Sequence, residues 1–162
     1  MSDQNTTYLN LDKDSTTAEK KNQVPQLSQI IFGTYCSECA RNCATMFRYT
    51  INGRQSTFSA DFTDGYFKKS GLTFNTTFHE AFYFDIAKEI VANIPDTLLN
   101  NHFSTQRFGC PDCTDGCGIY FEMTKDNKKQ RFYIDYQTSA LEGDMKIFAD
   151  FLKTKVRQLK KM

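Results

Sequence analysis

Apolar and polar residues alternate along part of the chain in the pattern typical of strands. Residues 29–35 form an apolar run, and apolar side chains then alternate with polar ones over 47–51 and 58–62. Between these two segments lies Asn52-Gly53, a dipeptide that favours positive φ and a tight hairpin turn. The pattern predicts one N-terminal strand followed by a β-hairpin.

A second alternation lies nearer the C-terminus. Apolar side chains alternate over 119–123 and 132–136, on either side of Asp126-Asn127. Two segments have helical spacing instead, 77–94 and 139–159, and each opens on a capping-box pattern. The predicted fold class is α+β, an antiparallel sheet of two β-hairpins plus one N-terminal strand, packed with two helices.

The order of cysteine loop, hairpin and helix occurs twice, which suggests an internal ββα-ββα repeat. A shift of 74 residues brings seven of the 27 positions from 36 to 62 onto identical residues. The matched pairs are Cys36 with Cys110, Cys39 with Cys113, Cys43 with Cys117, Phe47 with Phe121, Thr50 with Thr124, Phe58 with Phe132 and Asp61 with Asp135. We expect the two aspartates to make structural polar contacts rather than to form a catalytic dyad.

Composition and charge limit the class of protein. The 162 residues fit one domain, and 15 Phe with 8 Tyr indicate a core rich in rings. The net charge of +1 does not indicate nucleic-acid binding. No apolar run approaches the roughly 18 residues that a membrane-spanning helix needs. Residues 1–26 are polar, so we expect a disordered tether ahead of a single domain over 27–162. No catalytic constellation stands out.

Each half carries a C-x2-C-x3-C motif, and three chemistries compete for the six cysteines. The first is a disulfide framework without a cofactor. If a pseudo-two-fold axis related the halves, the pairs would be Cys36–Cys117, Cys43–Cys110 and Cys39–Cys113. The entropy of loop closure favours such long-range pairs over local ones.

The second chemistry is zinc binding, because paired C-x2-C elements are typical of tetrahedral zinc sites. The candidate ligands are Cys36, Cys39, Cys110 and Cys113, with His102 as a further candidate. Under this hypothesis the chain is a cytosolic zinc-binding module.

The third chemistry is thiol–disulfide exchange, for which C-x-x-C is also the characteristic spacing. Redox cysteines normally precede a helix, whereas residues 110–113 precede a predicted strand. This context argues against an oxidoreductase.

The string C-x3-C over 39–43 and the string GCPDCTDG over 109–116 resemble uncharacterised small lipoprotein domains of Gram-negative bacteria. In that family each motif precedes a hairpin, one helix lies between the hairpins and another closes the domain. The resemblance covers residues 30–160 and implies a fold and a location but no activity. Cys36 and Cys117 depart from the family pattern, and their joint presence implies that they pair with each other.

The resemblance also implies a lipid anchor. A lipid-bearing cysteine would stand at the position of Met1, followed by the polar tether. The expected function is a non-catalytic, disulfide-braced binding or structural module in the periplasm or at the cell surface. Its partner would be a protein or a cell-envelope component, with no nucleic acid, and it would meet the membrane only through an anchor absent from this chain. A cytosolic protein beginning at Met1 is the alternative.

Overall fold

The computed structural model describes residues 26–113 and 116–162. It has a mixed α+β fold, as the sequence predicts. The strands are β1 (Leu27–Cys36), β2 (Ala44–Thr50), β3 (Thr57–Asp61), β4 (Thr76–Phe78), β5 (Thr105–Phe108), β6 (Cys117–Lys125) and β7 (Lys128–Asp135), and the helices are α1 (Ala81–Ala92), α2 (Asp96–Leu99) and α3 (Gly143–Lys160). The predicted tether lies outside the described residues except for Gln26, whose carbonyl accepts the Asp126 amide at 3.1 Å.

The seven strands form one sheet in the order β4-β3-β2-β1-β6-β7-β5. The central strand β1 is antiparallel to both β2 and β6, and these pair antiparallel with β3 and β7. Two short edge strands were not predicted, and β5 pairs in parallel with β7. The sheet is therefore not purely antiparallel. Strands of three and four residues, as β4 and β5 are, are too short for an alternating pattern to identify.

The two connections between paired strands differ in length. Asp126 and Asn127 have φ of 49° and 61° and join β6 to β7 directly, as a type I′ turn requires. The prediction of a tight hairpin turn formed by Asn52-Gly53 alone is wrong. There β2 ends at Thr50 and β3 begins at Thr57, and the wider loop is closed by the Gln55 amide donating to the Asn52 carbonyl at 2.6 Å.

Strand direction excludes a two-fold relation between the halves. β2 and β6 run the same way, because both are antiparallel to β1, yet β3 and β7 lie on opposite outer sides. A two-fold axis normal to the sheet would make β2 and β6 run in opposite directions, which they do not. A two-fold axis parallel to the strands would exchange the two faces of the sheet and so place α1 and α3 on opposite faces. Helices α1 and α3 instead pack into the same core on the same face. The premise of the symmetric disulfide scheme is therefore not met.

One face of the sheet, here called the helix face, carries the main core. Phe32 of β1 lies directly between Phe47 and Phe121 of the flanking strands, and its ring stacks on that of Phe47 at 5.6 Å between centroids. The helices cover these rings with apolar stripes, Tyr83, Ile86, Ala87 and Ile90 from α1 and Met145, Phe148, Leu152, Val156 and Leu159 from α3.

Both helices begin later than the sequence predicts. Thr76–Phe78 forms strand β4, so Thr77 does not cap a helix, and Glu80 is the N-cap of α1. Phe78 reaches the core from the sheet edge, where its ring lies 4.2 Å from that of Tyr83. Tertiary packing of this ring therefore outweighs the local capping pattern. Thr138–Ala140 is a 3₁₀ turn, and Glu142 is the N-cap of α3.

The opposite face of the sheet, here called the outer face, carries a second and smaller core. Ile31, Tyr35, Met46 and Tyr120 are buried there. They lie beneath the cover segment, residues 62–75, which packs Tyr66, Leu72 and Phe74 against them. Because both faces of β1 are buried, it reads in the sequence as a continuous apolar run.

Candidate functional site at the cysteine end of the sheet

The end of β1 and the start of β6 meet at a disulfide. Cys36 is the last residue of β1 and Cys117 the first of β6, and the two are direct partners across the antiparallel pair. Their Cα atoms are 3.9 Å apart and their sulfur atoms are bonded. The Ser37 amide donates to the Gly116 carbonyl at 2.7 Å, which extends the ladder past the bridge. The structure thus contains the pair that both the repeat and the family resemblance singled out.

The other four cysteines pair within their own loops. Cys39 bonds to Cys43, and Cys110 bonds to Cys113. The expected pairs Cys43–Cys110 and Cys39–Cys113 are wrong, because the halves lack the symmetry that those pairs assume. Each loop closes on itself instead: the Cys36 amide donates to the Cys43 carbonyl at 2.7 Å, and the Cys113 amide to the Cys110 carbonyl at 3.2 Å.

The three bridges lie together at what we call the cysteine end, residues 36–43, 109–113 and 116–117. Cys39, Cys110 and Cys113 are exposed, whereas Cys36 and Cys117 are half-buried. Within the described residues every cysteine is bonded to another. The long-range bridge is thus partly shielded, and the two local bridges face solvent.

The donor set of the zinc hypothesis does not fit this arrangement. Cys36, Cys39, Cys110 and Cys113 are divided among all three disulfides, and zinc needs thiolates. In the described ranges no group of three His, Cys, Asp or Glu side chains is placed to hold a metal ion. His102 lies at the far end of the sheet, beside the turn from β6 to β7.

The two repeat-related aspartates hold the loops around this end. Asp135 accepts the amides of Cys110 and Gln137, each at 2.9 Å, and so fixes the start of the second cysteine loop. Asp61 accepts the amides of Thr63 at 2.7 Å and Thr73 at 2.6 Å, and so fixes the cover segment. The expectation of structural polar contacts is confirmed.

The environment of Asp61 also sets its acidity. Burial by itself would raise the pKa of this carboxyl, but the hydroxyl of Thr63 and the amides of Thr73, Thr63 and Gly65 hydrogen-bond to it. These donors outweigh burial and hold the pKa below its ordinary value of 3.8. Asp61 is therefore an anion that anchors the cover segment.

A tyrosine cluster, defined as Tyr35, Tyr66, Tyr120 and Tyr133, lies on the outer face next to the cysteine end. Ring centroids are 4.4 Å apart for Tyr35 and Tyr66, 5.6 Å for Tyr66 and Tyr120, and 5.5 Å for Tyr120 and Tyr133. Gly118, opposite Tyr35, leaves room for that ring, since a Cβ there would overlap it. The cluster links strands β1, β6 and β7 to the cover segment.

The second cysteine loop contacts this cluster through Asp112. The Tyr35 hydroxyl donates to Asp112 Oδ2 at 3.4 Å, and Arg107 pairs with the same oxygen at 3.3 Å while its guanidinium lies 5.3 Å from the Tyr133 ring centroid. Burial, and after it the nearby Asp112 carboxylate, raise the pKa of Tyr35 to about 12. Burial also holds the pKa of Tyr66 far above the ordinary tyrosine value.

A buried carboxylate completes the outer face. Glu122 accepts the Tyr120 hydroxyl at 2.7 Å and pairs with Arg131 Nε at 3.0 Å. Burial, followed by the Glu122 contact, keeps the pKa of Tyr120 well above its ordinary range. For Arg131, burial alone would lower the pKa, but the bond to Glu122 outweighs it and raises the pKa. Tyr120 is thus a neutral donor and Glu122 an acceptor with two partners.

Sequence reasoning missed the tyrosine cluster and Asp112. The available signal was the continuous apolar run over 29–35, which indicates a strand buried on both faces. A second signal was the number of tyrosines, because buried tyrosines need partners for their hydroxyls.

Comparisons with known proteins add no assignment. No protein-family model matches the chain. No curated protein and no solved structure matches it either. In the part of the chain that the structure describes, no helix is both long and apolar enough to cross a membrane. The fold and site define a class by themselves, an α+β domain with three disulfides at one end of its sheet.

Proposed function

We propose that this protein is a disulfide-braced binding or structural module that works outside the cytoplasm and has no catalysis of its own. The observation that carries the proposal is the pairing of all six cysteines into three bridges. Disulfides form and persist in oxidising compartments and are rare in the cytosol. The outer face supports a binding role, because Phe67 of the cover segment is 46% exposed there, with its ring 6.2 Å from that of Tyr35 beside the cysteine end.

The resemblance to small lipoprotein domains of Gram-negative bacteria extends this proposal. Under it, residues 1–26 tether the domain to a lipid anchor at the membrane, in the periplasm or at the cell surface. The anchor is tested by growing source cells with an alkyne-labelled fatty acid and isolating the full gene product. Label in the N-terminal peptide and recovery in the membrane fraction support the anchor. An unlabelled protein in the soluble cytosolic fraction contradicts it.

The disulfide proposal is tested by alkylating free thiols at lysis and mapping peptides without reductant. We expect three crosslinks, Cys36–Cys117, Cys39–Cys43 and Cys110–Cys113, and no alkylated cysteine. Metal analysis of the same sample is the control. Six alkylated cysteines together with stoichiometric zinc would overturn the proposal in favour of the cytosolic zinc-binding module.

One observation favours a second candidate function, thiol–disulfide exchange. The Cys110–Cys113 bridge is local and exposed, and C-x-x-C is the spacing of redox motifs. In such a step a thiolate of a dithiol protein attacks one sulfur of the bridge and the other sulfur leaves as a thiolate. A second thiol of the partner then resolves the mixed disulfide, so that the partner is oxidised and Cys110 and Cys113 are reduced. Against this function, the motif precedes strand β6, whereas redox motifs normally precede a helix.

The two candidates differ in how the bridges respond to a glutathione redox series. An exchange site would equilibrate at Cys110 and Cys113 while Cys36–Cys117 stays oxidised. In Cys113→Ser the remaining Cys110 thiolate would attack a partner in its disulfide form, release one partner thiolate and stay in the mixed disulfide, because no Cys113 thiol is present to resolve it. If all three bridges are structural, the exposed Cys110–Cys113 bridge should be reduced no more readily than the exposed Cys39–Cys43 bridge. Cys43→Ser serves as the control, since it opens the other exposed bridge without touching the C-x-x-C motif.

A further inference from the structure

A pocket of about 350 Å³ lies at the end of the sheet opposite the cysteines. It is formed by the turn between β6 and β7 and by the loop that follows α2. Its lining includes Phe103, Lys125, Lys128, Lys129 and Gln130. We call it the Gln130 pocket.

Gln130 is a buried polar residue in this pocket, with only 7% of its surface exposed. Its Nε2 donates to the carbonyls of Asn101 at 2.5 Å and Phe103 at 3.3 Å, which fixes the orientation of the amide. Its Oε1 is buried and has no hydrogen-bond partner. An amide oxygen that is buried without a hydrogen-bond donor raises the free energy of the protein. A ligand hydroxyl or N–H group that donates to Oε1 would remove this cost, so binding of such a ligand is favoured.

The mouth of the pocket is positively charged. Lys125 already donates to the Leu99 carbonyl. Lys128 and Lys129 are exposed, and no ion pair to either is found in the described ranges. The one carboxylate in the lining, Asp126, accepts the Gln26 amide at 3.0 Å. Two ammonium groups are thus free to meet an anionic ligand.

Phe103 supplies an exposed ring at the same mouth. It is 68% exposed, the most exposed aromatic side chain in the described residues. The loop that carries it is held in place, because the Phe103 amide donates to Asn101 Oδ1 at 2.7 Å and the Arg131 amide to the Ser104 carbonyl at 2.9 Å. A fixed, exposed ring beside amide groups suits the C–H face of a sugar ring, which stacks on an aromatic plane while its hydroxyls bond to the amides.

We propose that the Gln130 pocket binds an acidic saccharide of the uronic-acid class. The carboxylate contacts Lys128 and Lys129, a sugar hydroxyl donates to Gln130 Oε1, and a ring face stacks on Phe103. This inference deepens the binding role proposed above, and the choice of a saccharide rests on the extracytoplasmic location proposed there. Peptide mapping of the disulfides is independent of this pocket, so that failure of one proposal is distinguishable from failure of the other.

The test is titration of the whole chain with a tetramer of galacturonic acid at low salt, followed by calorimetry and by ¹⁵N NMR. We expect saturable binding, with shifts in the side-chain NH₂ of Gln130 and the amide of Phe103. A neutral galactose tetramer should bind about tenfold more weakly, because it lacks the charge-assisted contacts. Acetate at the same concentration of carboxylate groups should not displace the galacturonic acid tetramer. Absence of binding, or equal binding of acetate, overturns the saccharide assignment.

Two pairs of variants separate a site from general charge attraction. Lys128→Ala with Lys129→Ala should weaken binding about tenfold. Lys68→Ala with Lys69→Ala, an exposed pair on the cover segment, removes the same charge and should leave binding unchanged. Phe103→Ala should also weaken binding, whereas Ile147→Ala, at a residue 73% exposed on α3, should not. Equal effects within either pair overturn the proposal.

Discussion

The Cys36–Cys117 disulfide joins residues that are 81 positions apart in the chain and directly opposite each other in the sheet. Cys36 is the last residue of β1, the central strand of the sheet. The bridge therefore links β1, which carries β2, β3 and β4 on one side, to the β6–β7 pair on the other side. The Cys39–Cys43 and Cys110–Cys113 bridges span sequence separations of only 4 and 3. They shape loops, and Cys36–Cys117 restrains the whole domain.

The first prediction follows from these loop lengths. Replacing Cys36 and Cys117 together with Ser should lower the free energy of unfolding by about 2–5 kcal/mol, since the bridge removes much of the entropy of the unfolded chain. Replacing Cys39 and Cys43 together should cost about 2 kcal/mol at most, because their loop is short. Urea unfolding of both double variants checks this. Equal losses would show that the long-range bridge does not restrain the unfolded chain as proposed.

The second prediction concerns Asp61. Asp61→Asn should lower the free energy of unfolding by about 1–3 kcal/mol at neutral pH, because buried amide donors lose a charged acceptor. Its pKa is lowered in the folded state, so its contribution is present above the unfolded value near 3.8 and is lost as pH falls through the lower, folded pKa. The variant should therefore lose less stability between pH 4 and pH 2 than the parent chain. Asp85→Asn, at an exposed position of α1, is the control, and an identical acid profile for both variants would contradict the assignment.

A third prediction concerns alkaline pH and the tyrosine cluster. The pKa of Tyr35 is raised from 10.0 to about 12, so its contribution to stability is complete below pH 10 and is lost as pH rises from 10 to 12. Thermal unfolding should show that decline, and Tyr35→Phe should reduce it. Absorbance near 295 nm should show phenolate formation at Tyr35 and Tyr66 only above the ordinary tyrosine range. Tyr136→Phe, outside the cluster, is the comparison variant; if it alters the decline as much as Tyr35→Phe does, the effect does not arise in the cluster.

The fourth prediction tests the pair formed by Glu122 and Arg131. Arg131→Met should cost about 1–2 kcal/mol, because it leaves a buried carboxylate without its cation, and partial exposure of Arg131 limits the loss. Adding Glu122→Gln should restore part of that loss, since no unpaired buried charge then remains. A double-mutant cycle measured by urea unfolding gives the coupling energy. Purely additive losses would show that the contact contributes no coupling.

Local periodicity was enough to locate most of the regular elements. The alternations around Phe47 and Phe121 predict β2 and β6, and the stripes ending at Ile94 and Leu159 predict α1 and α3. These signals are reliable because a buried face must repeat every two residues in a strand and about every 3.6 in a helix. The start of α1 was not predictable in the same way, because Phe78 is buried by contacts with Phe58 and Tyr83 rather than by its place in a helix.

Long-range placement was decided only by the tertiary structure. The sequence by itself determined an α+β domain with six cysteines near its strand ends, and the family resemblance implied that Cys36 pairs with Cys117. The pairs Cys39–Cys43 and Cys110–Cys113 depend on how two loops fold back, and the tyrosine cluster and the Gln130 pocket depend on which strands become neighbours. Spacing along a chain records which face of an element is buried. It does not record which element covers that face, because that depends on strand order and register, to which every strand contributes at once.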